Sequence, residues 1–259
     1  MKFLVIIFSS LCLSTPLFAK QPPKQVPKRL YEQFTMGEKV PVLNWYFNDS
    51  GSKGQPTRFT KKLIGQYLNL IKNKQSGYYG GNLDNWLYEA LEKYPIDGKE
   101  VGIIGSVLPF YECVVLAYGG KPITIEYNKI ISEDSRITTY TVEEFNKNPR
   151  KFDVILSISS IEHDGLGRYG DPINPNGDLE FMKKAKTLLK KGGHMILAVP
   201  VGRDALVWNA HRIYGKLRFP LLIKEWNLID SFGFSESDFT ERALGHYEHQ
   251  PILYLESKN

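Results

Sequence analysis

The chain has 259 residues, of which 42% are hydrophobic, 24% charged and 13% aromatic, values that exclude a disordered or collagen-like polymer. The length suits one large α/β domain or two small ones, with a core that needs no disulfide staples. Against 28 acidic residues stand 33 basic ones, a net charge of +5 without any dense Lys/Arg block, so nothing in the charge pattern argues for a nucleic-acid partner.

Residues 1–19 have the form of a secretory signal peptide, with Lys2, an uncharged apolar run from Phe3 to Leu13, and a small residue at Ala19. Leu17 is an imperfect residue at the third position before the expected cut. An uncleaved anchor over Phe3–Ala19 and a buried N-terminal strand are the other readings of this segment. No second apolar span follows, so the expected location is outside the cell or in the secretory lumen, with no membrane span beyond the leader. Cys12 lies in the leader, which leaves Cys113 alone in an apolar stretch, as a packed small hydrophobe rather than a nucleophile. Asn48-Asp49-Ser50 fits the N-glycosylation acceptor pattern.

Residues 20–58, rich in Pro, Lys and Gln, read as an irregular arm. Thr60 then caps a helix whose apolar face is Leu63, Ile64, Tyr67, Leu68 and Ile71, closed near Gly77. A second helix carries Leu83, Trp86, Leu87, Leu91 and Tyr94 and stops at Pro95. From Lys99 the pattern changes to short apolar runs alternating with helical segments. Val101–Gly105, Pro122–Glu126, Arg136–Tyr140, Asp153–Ser157 and Met195–Val199 read as strands, and Tyr111–Tyr118 and Asp178–Lys190 as helices, the latter ending at Gly192-Gly193. Ser237–Arg242 and Pro251–Glu256 complete the set, and the tail from Gly233 suits a reversed hairpin on the sheet edge. Such alternation predicts an α/β fold with a doubly wound, mostly parallel, Rossmann-like sheet.

In such sheets a ligand sits beyond the carboxyl ends of the strands. Gly105 ends the first strand, and a residue without Cβ there lets backbone approach a ligand closely. Glu126, 21 positions later, ends the second strand, where an acid can hold ribose hydroxyls; it equally suits an ordinary exposed strand end. The richest polar stretch follows the fourth strand, with Glu162, His163, Asp164, Arg168, Asp171, Asn174, Asn176 and Asp178, interleaved with Gly165, Gly167 and Gly170. As a functional loop it places Glu162 and His163 in the cleft, His163 as a base. As a structural one, Arg168 pairs with Asp171 and Asp178 caps the next helix. His211 and Arg212 are candidates for binding an anionic or hydroxyl-rich acceptor, or else members of an amphipathic helix that packs Trp208 and Ile213 inside. His246, Glu248 and His249 read as surface residues, and no metal is expected. Neither a Gly-x-Ser-x-Gly elbow nor a phosphate-loop Gly-Lys-Ser/Thr occurs.

Val101-Gly-Ile-Ile-Gly-Ser106, Ile125-Glu126, Phe152–Ser157, Ile161-Glu-His163 and Leu189-Lys-Lys-Gly-Gly-His-Met-Ile-Leu197 together resemble the class I S-adenosylmethionine-dependent methyltransferases, over residues 98–202. More narrowly, Glu162–Pro172, Pro200-Val-Gly202 and Asn209–Tyr214 resemble a family of uncharacterised methyltransferase-like proteins, a domain of unknown function. The resemblance implies S-adenosylmethionine as cofactor, held by Gly105, Ser106, Glu126 and Asn128. The polar loop gives Glu162 and His163 as the expected catalytic groups, and Arg168, Asp171, His211 and Arg212 are expected against the substrate. The resemblance also implies one methyltransferase-like domain over 59–259, with helices over 60–94 and the sheet core over 98–259. The sequence departs from the pattern at Ile103, where an acid usually stands two positions before the first glycine. It departs again at Val107 and Pro109, where later glycines usually stand.

Two functions follow. One is methyl transfer to a small-molecule or glycan-like acceptor, with His163 as the base for a hydroxyl. The other is a binding or scaffold protein that keeps the fold with a degenerate donor site. A hydrolase using Asp and His in the same cleft is a third reading, without an identifiable nucleophile.

Overall fold

Short apolar strands that alternate with one-sided helices can bury both kinds of face only in layers. The computed structural model describes residues 21–49, 56–77 and 82–258 of the chain. The expected leader and Ser50 of the acceptor triplet lie outside the described residues.

The arm carries a short helix α1 (Tyr31–Phe34), strand β1 (Val42–Asn44) and strand β2 (Thr57–Phe59). Helix α2 (Lys61–Lys72) starts as expected, with the Thr60 hydroxyl accepting the Leu63 N–H at 3.3 Å and Ile64 and Ile71 buried. Helix α3 (Leu83–Lys93) follows, then β3 (Glu100–Ile104), α4 (Phe110–Ala117) and β4 (Lys121–Glu126). Next come β5 (Ile130–Ser132), β6 (Thr138–Thr141) and α5 (Val142–Lys147), the last two joined by a capping box between Thr141 and Glu144. The remainder is β7 (Phe152–Ile158), α6 (Gly177–Thr187), β8 (Leu189–Ala198), β9 (Ala205–Trp208), β10 (His211–Ile213), α7 (Phe219–Leu222), β11 (Trp226–Phe232), α8 (Asp238–Glu241) and β12 (Ile252–Ser257).

Seven strands form one twisted sheet in the order β11-β12-β8-β7-β3-β4-β6. Strands β8, β7, β3, β4 and β6 pair in parallel, and only β12 is reversed, inserted between β8 and β11. The fold is therefore the expected α/β sheet with helices on both faces. One face packs α2, α3 and α4 through Ile64, Leu87, Leu91, Val114 and Ile103. The other packs α5, α6 and α7 through Phe145, Phe181, Met182, Phe219 and Trp226. Gly102, in mid-strand, leaves room for the fully buried Phe152 ring on the neighbouring strand, since a Cβ there would stand 2.6 Å from it. Cys113 is buried in the first layer with a free thiol, which burial pushes up to about 12. No helix among the described residues is long and apolar enough to cross a membrane.

Four local expectations are corrected. The Lys191-Gly192-Gly193 turn lies inside β8 rather than after α6, because the Phe152 N–H already bonds the Leu188 carbonyl at 2.8 Å and pairing begins at Leu189. Ser237–Arg242 is helix α8 and not a strand, since Asp238 accepts the Ser235 N–H at 2.8 Å and binds Arg242 one turn on. The edge strand is β11, so the last strand lies inside the sheet rather than at its edge. His211 and Arg212 sit on β10 of a small sheet β1-β9-β10 and not on a helix.

The long connection between β7 and α6 rests on a buried ion cluster. Asp178 accepts from Arg218 at 2.6 and 2.9 Å and from the Tyr214 hydroxyl at 3.0 Å, and Arg212 Nε lies 3.8 Å away. Asp178 is thus no helix cap; Asn176 occupies that place. Arg212 donates to the carbonyls of Asp164 at 2.6 Å, Asn174 at 3.2 Å, and Glu162 and Pro175 at 3.3 Å, while Arg218 reaches Pro175 at 2.7 Å. Burial alone would raise the Asp178 carboxyl, but Arg212 and Arg218 hold it below the usual carboxylate range.

Asp178→Ala, which strands two buried guanidinium groups, should therefore cost about 3–5 kcal/mol of unfolding free energy in urea titration. Because the folded-state value is depressed, the stabilisation from Asp178 is full above the unfolded value of about 4 and lost as the pH falls below it. The variant should show a shallower loss of stability on acidification.

Candidate functional site

The carboxyl ends of β3, β4 and β7 open into a cleft of about 150 Å³. Its floor is set by Gly105, whose φ of +75° is left-handed, and a Cβ there would run into Ser160 Oγ. The next amide, Ser106 N–H, donates to Glu126 Oε2 at 2.9 Å, and Tyr127 N–H donates to Oε1 at 2.8 Å. Desolvation raises the Glu126 carboxyl, opposed by the amides of Ser106, Tyr127 and Asn128. With three amides on its four lone-pair positions, Glu126 can still accept from one further hydroxyl. Gly105, Ser106, Glu126 and Asn128 line one cavity. Val107, in a place where glycine is usual, turns its side chain to solvent at 63% exposure. The Ser106 hydroxyl bonds the Leu108 carbonyl at 3.2 Å, and Pro109 starts α4, so the loop is closed by a different route.

Beneath this loop lies Glu112, a residue whose place in the first turn of a helix gives no sequence signal. It is fully buried, accepts from Thr124 Oγ1 at 2.7 Å, and leaves Oε2 without a partner. Burial pushes its carboxyl up to about 7, against the Thr124 hydroxyl.

The opposite wall carries His163, at the end of a short turn over Ile161–His163. Its Nδ1 lies 2.5 Å from the Ala210 carbonyl. A carbonyl only accepts, so Nδ1 holds the proton and Nε2 the lone pair. Desolvation pushes the ring down to about 3, and Arg168, His211 and Arg212 add to this; the imidazole is neutral at pH 7. Glu162 stands behind it, fully buried, with Oε1 at 3.6 Å from Nε2 and accepting the Ser159 hydroxyl at 2.8 Å. Burial pushes Glu162 up to about 7. Gln250 in turn donates to Ser159 Oγ at 3.2 Å. Asp164 and Lys184 complete the cavity wall, the first pushed up and the second down to about 7, both chiefly by desolvation. Lys184 lay hidden in an ordinary helical Lys-Lys pair.

Five expected site residues do not line the cavity. Glu162 is one layer behind it. Asp171 accepts the amides of Gly165 at 2.8 Å, Gly167 at 3.0 Å and Tyr169 at 3.3 Å, so it shapes the loop rather than pairing with Arg168. Arg168 pairs instead with Asp49 at 2.7 Å. Arg212 spends its donors on backbone carbonyls, and His211 is buried beside His163. His249, from the His246–His249 group, bonds Asp238 at 2.9 Å.

Residues 98–250 match a family described as Caenorhabditis protein of unknown function, DUF268. No curated protein matches the chain. Among solved structures, the ribosomal protein L11 methylase of Lactobacillus delbrueckii subsp. bulgaricus is 13% identical, over 70% of this chain and 81% of its own, with a TM-score of 0.39. The methyltransferase CcbJ of Streptomyces caelestis is 9% identical, over 76% and 98%, with a TM-score of 0.41. The glycopeptide N-methyltransferase MtfA, complexed with (S)-adenosyl-L-homocysteine, is 8% identical, over 73% and 96%, with a TM-score of 0.44.

Glu112 offers a check on the cavity floor. A carboxyl whose folded value is raised stabilises fully below its unfolded value and loses that contribution as pH rises through about 7. Glu112→Gln should remove about 3 kcal/mol of the pH-dependent change in unfolding free energy between pH 5 and 8. Chemical denaturation across that range measures it; an unchanged slope would mean Glu112 is ionised throughout.

Proposed function

The chain belongs to the DUF268 family of Caenorhabditis proteins of unknown function, and on that premise we propose that it is a methyltransferase using S-adenosylmethionine, with a small-molecule or glycan-like acceptor. The observation that carries this reading is the union of Gly105, Ser106 and Glu126 at the ends of two adjacent parallel strands. Glu126 is fixed by the amides of Ser106, Tyr127 and Asn128 and retains a lone pair for a hydroxyl such as a ribose presents. Gly105 lets the ligand meet backbone, and Ser106 and Asn128 border it on either side.

The bound donor supplies a sulfonium-activated methyl group. The chain's own work is alignment and proton handling. His163 Nε2 accepts the acceptor's proton, held in orientation by the Nδ1–H bond to Ala210. Glu162, once ionised, stabilises the imidazolium that forms, from 3.6 Å. Turnover should accordingly rise with pH through about 7, as Glu162 loses its proton.

The changed loop at Ile103, Val107 and Pro109 favours a second reading, a binding or scaffold protein without donor affinity. Calorimetry with S-adenosylhomocysteine separates the two: micromolar binding, about −8 kcal/mol, supports the enzyme, and no heat at millimolar ligand supports the scaffold. Glu126→Gln should weaken that binding about tenfold, or 1.4 kcal/mol. His163→Ala should lower turnover about a hundredfold or more with little loss of thermal stability. Export belongs to the same proposal, on the form of residues 1–19. Mass spectrometry of the mature N-terminus should find a start near Lys20.

A further inference from the structure

Beyond the cleft, aromatic rings form a continuous path to the surface. Trp45 and Phe47 lie on the stretch directly after β1. That stretch is fixed by the Trp45 N–H to the Trp208 carbonyl at 2.7 Å and the Phe47 N–H to Asn209 Oδ1 at 2.8 Å. Tyr46, between them, is tied elsewhere by its hydroxyl to the Pro22 carbonyl at 2.8 Å. Ring centroids run from Phe47 to Trp45 at 5.1 Å, Trp45 to Tyr247 at 5.4 Å, Tyr247 to His211 at 5.0 Å and His211 to His163 at 6.3 Å. The outer rings are open, Trp45 at 43% and Tyr247 at 37% exposure. The inner end is the cavity wall.

His211 is the unusual member. It is 95% buried between Trp45 and Tyr247, yet its Nε2 has no hydrogen-bond partner. An unpaired buried polar nitrogen is costly, and it is relieved by a ligand group that bonds it. The guanidinium beside these rings is already paired. Arg168 lies between the Phe47 ring at 4.3 Å and the Tyr169 ring at 4.9 Å, and its charge is matched by Asp49 at 2.7 Å. Burial keeps both histidines uncharged at pH 7.

These features select a ligand class. A phosphate or carboxylate would find the adjacent guanidinium already paired. A purely aliphatic partner would leave the buried nitrogen unsatisfied. A pyranose ring offers an apolar C–H face that stacks on Trp and Tyr faces and a rim of hydroxyls that can bond an imidazole nitrogen. We propose that Trp45, Tyr247 and His211 form a subsite for a neutral pyranose ring, which presents the acceptor hydroxyl toward His163. The presentation step rests on the methyltransferase reading; the subsite itself does not.

The test is the full chain on an array of neutral and anionic pyranose oligosaccharides, with S-adenosylhomocysteine calorimetry run in parallel. Binding to neutral members is expected, weakened at least tenfold by Trp45→Ala and by Tyr247→Ala and largely retained by Trp45→Phe. Both alanine variants should keep the melting temperature and the nucleoside affinity of the parent. A blank array, a preference for anionic members, or binding indifferent to both alanine changes would overturn the subsite. Saccharide binding without nucleoside binding would leave the subsite standing and remove the methyltransferase reading. Nucleoside binding with a blank array would do the reverse.

Discussion

The arrangement of this protein depends on one buried carboxylate. Asp178 sits at zero exposure between Arg218, Tyr214 and Arg212, and the two guanidinium groups that share it then spend their remaining donors on the carbonyls of residues 162–175. A loop of this length would otherwise carry many unsatisfied backbone groups into the interior. With them satisfied, the loop forms a wall of the cleft that carries His163 and Asp164. Asp171 adds a second tie by collecting three amides within the loop. The glycines of the loop serve this same folding. A Cβ on Gly167 would stand 2.6 Å from Ile173, and one on Gly177 would stand 2.7 Å from the Asp164 carbonyl.

A single physical cause sets the protonation states around the cleft. Desolvation is the largest influence on His163, Glu162, Asp164, Lys184 and Glu112 alike, and in each it favours the neutral form. The cleft is thus rich in titratable groups and poor in net charge. That state suits a reaction in which a proton leaves a neutral acceptor and charge develops only during transfer. Of the fixed charges nearby, Arg168 is paired with Asp49, while Arg212 and Arg218 share the single carboxylate of Asp178.

The small sheet β1-β9-β10 joins these features. Strand β1 pairs in parallel with β9, and β10 returns beside it carrying both Arg212 and His211. Arg212 faces the loop and holds it, while its neighbour His211 takes part in the aromatic path. Alternation along one strand therefore divides structural support from the surface that leads to the cleft. The arm ahead of β1 is bound to the same sheet, through Trp208 Nε1–H to the Pro23 carbonyl at 2.9 Å.

The sequence by itself determined the layering and the cleft. Apolar runs at Val101–Gly105, Pro122–Glu126 and Asp153–Ser157 read as buried parallel strands, and the fold brings Gly105 and Glu126 together at the ends of two of them, because local patterning follows from period and turn chemistry. Thr60 and the capping pair Thr141 and Glu144 are local as well, although the second pair lies in a helix that the apolar pattern alone does not reveal. What only the tertiary structure decided is the partner of each charge. Arg168 lies three residues from Asp171 yet pairs with Asp49, and Asp178 looks like a helix cap yet neutralises Arg218. Glu112 and Lys184 read as ordinary helix residues until the fold removes their water. The physical reason is that a side chain's charge partner and hydration are set by whatever long-range packing brings within a few ångströms, and neighbours in sequence carry no record of it.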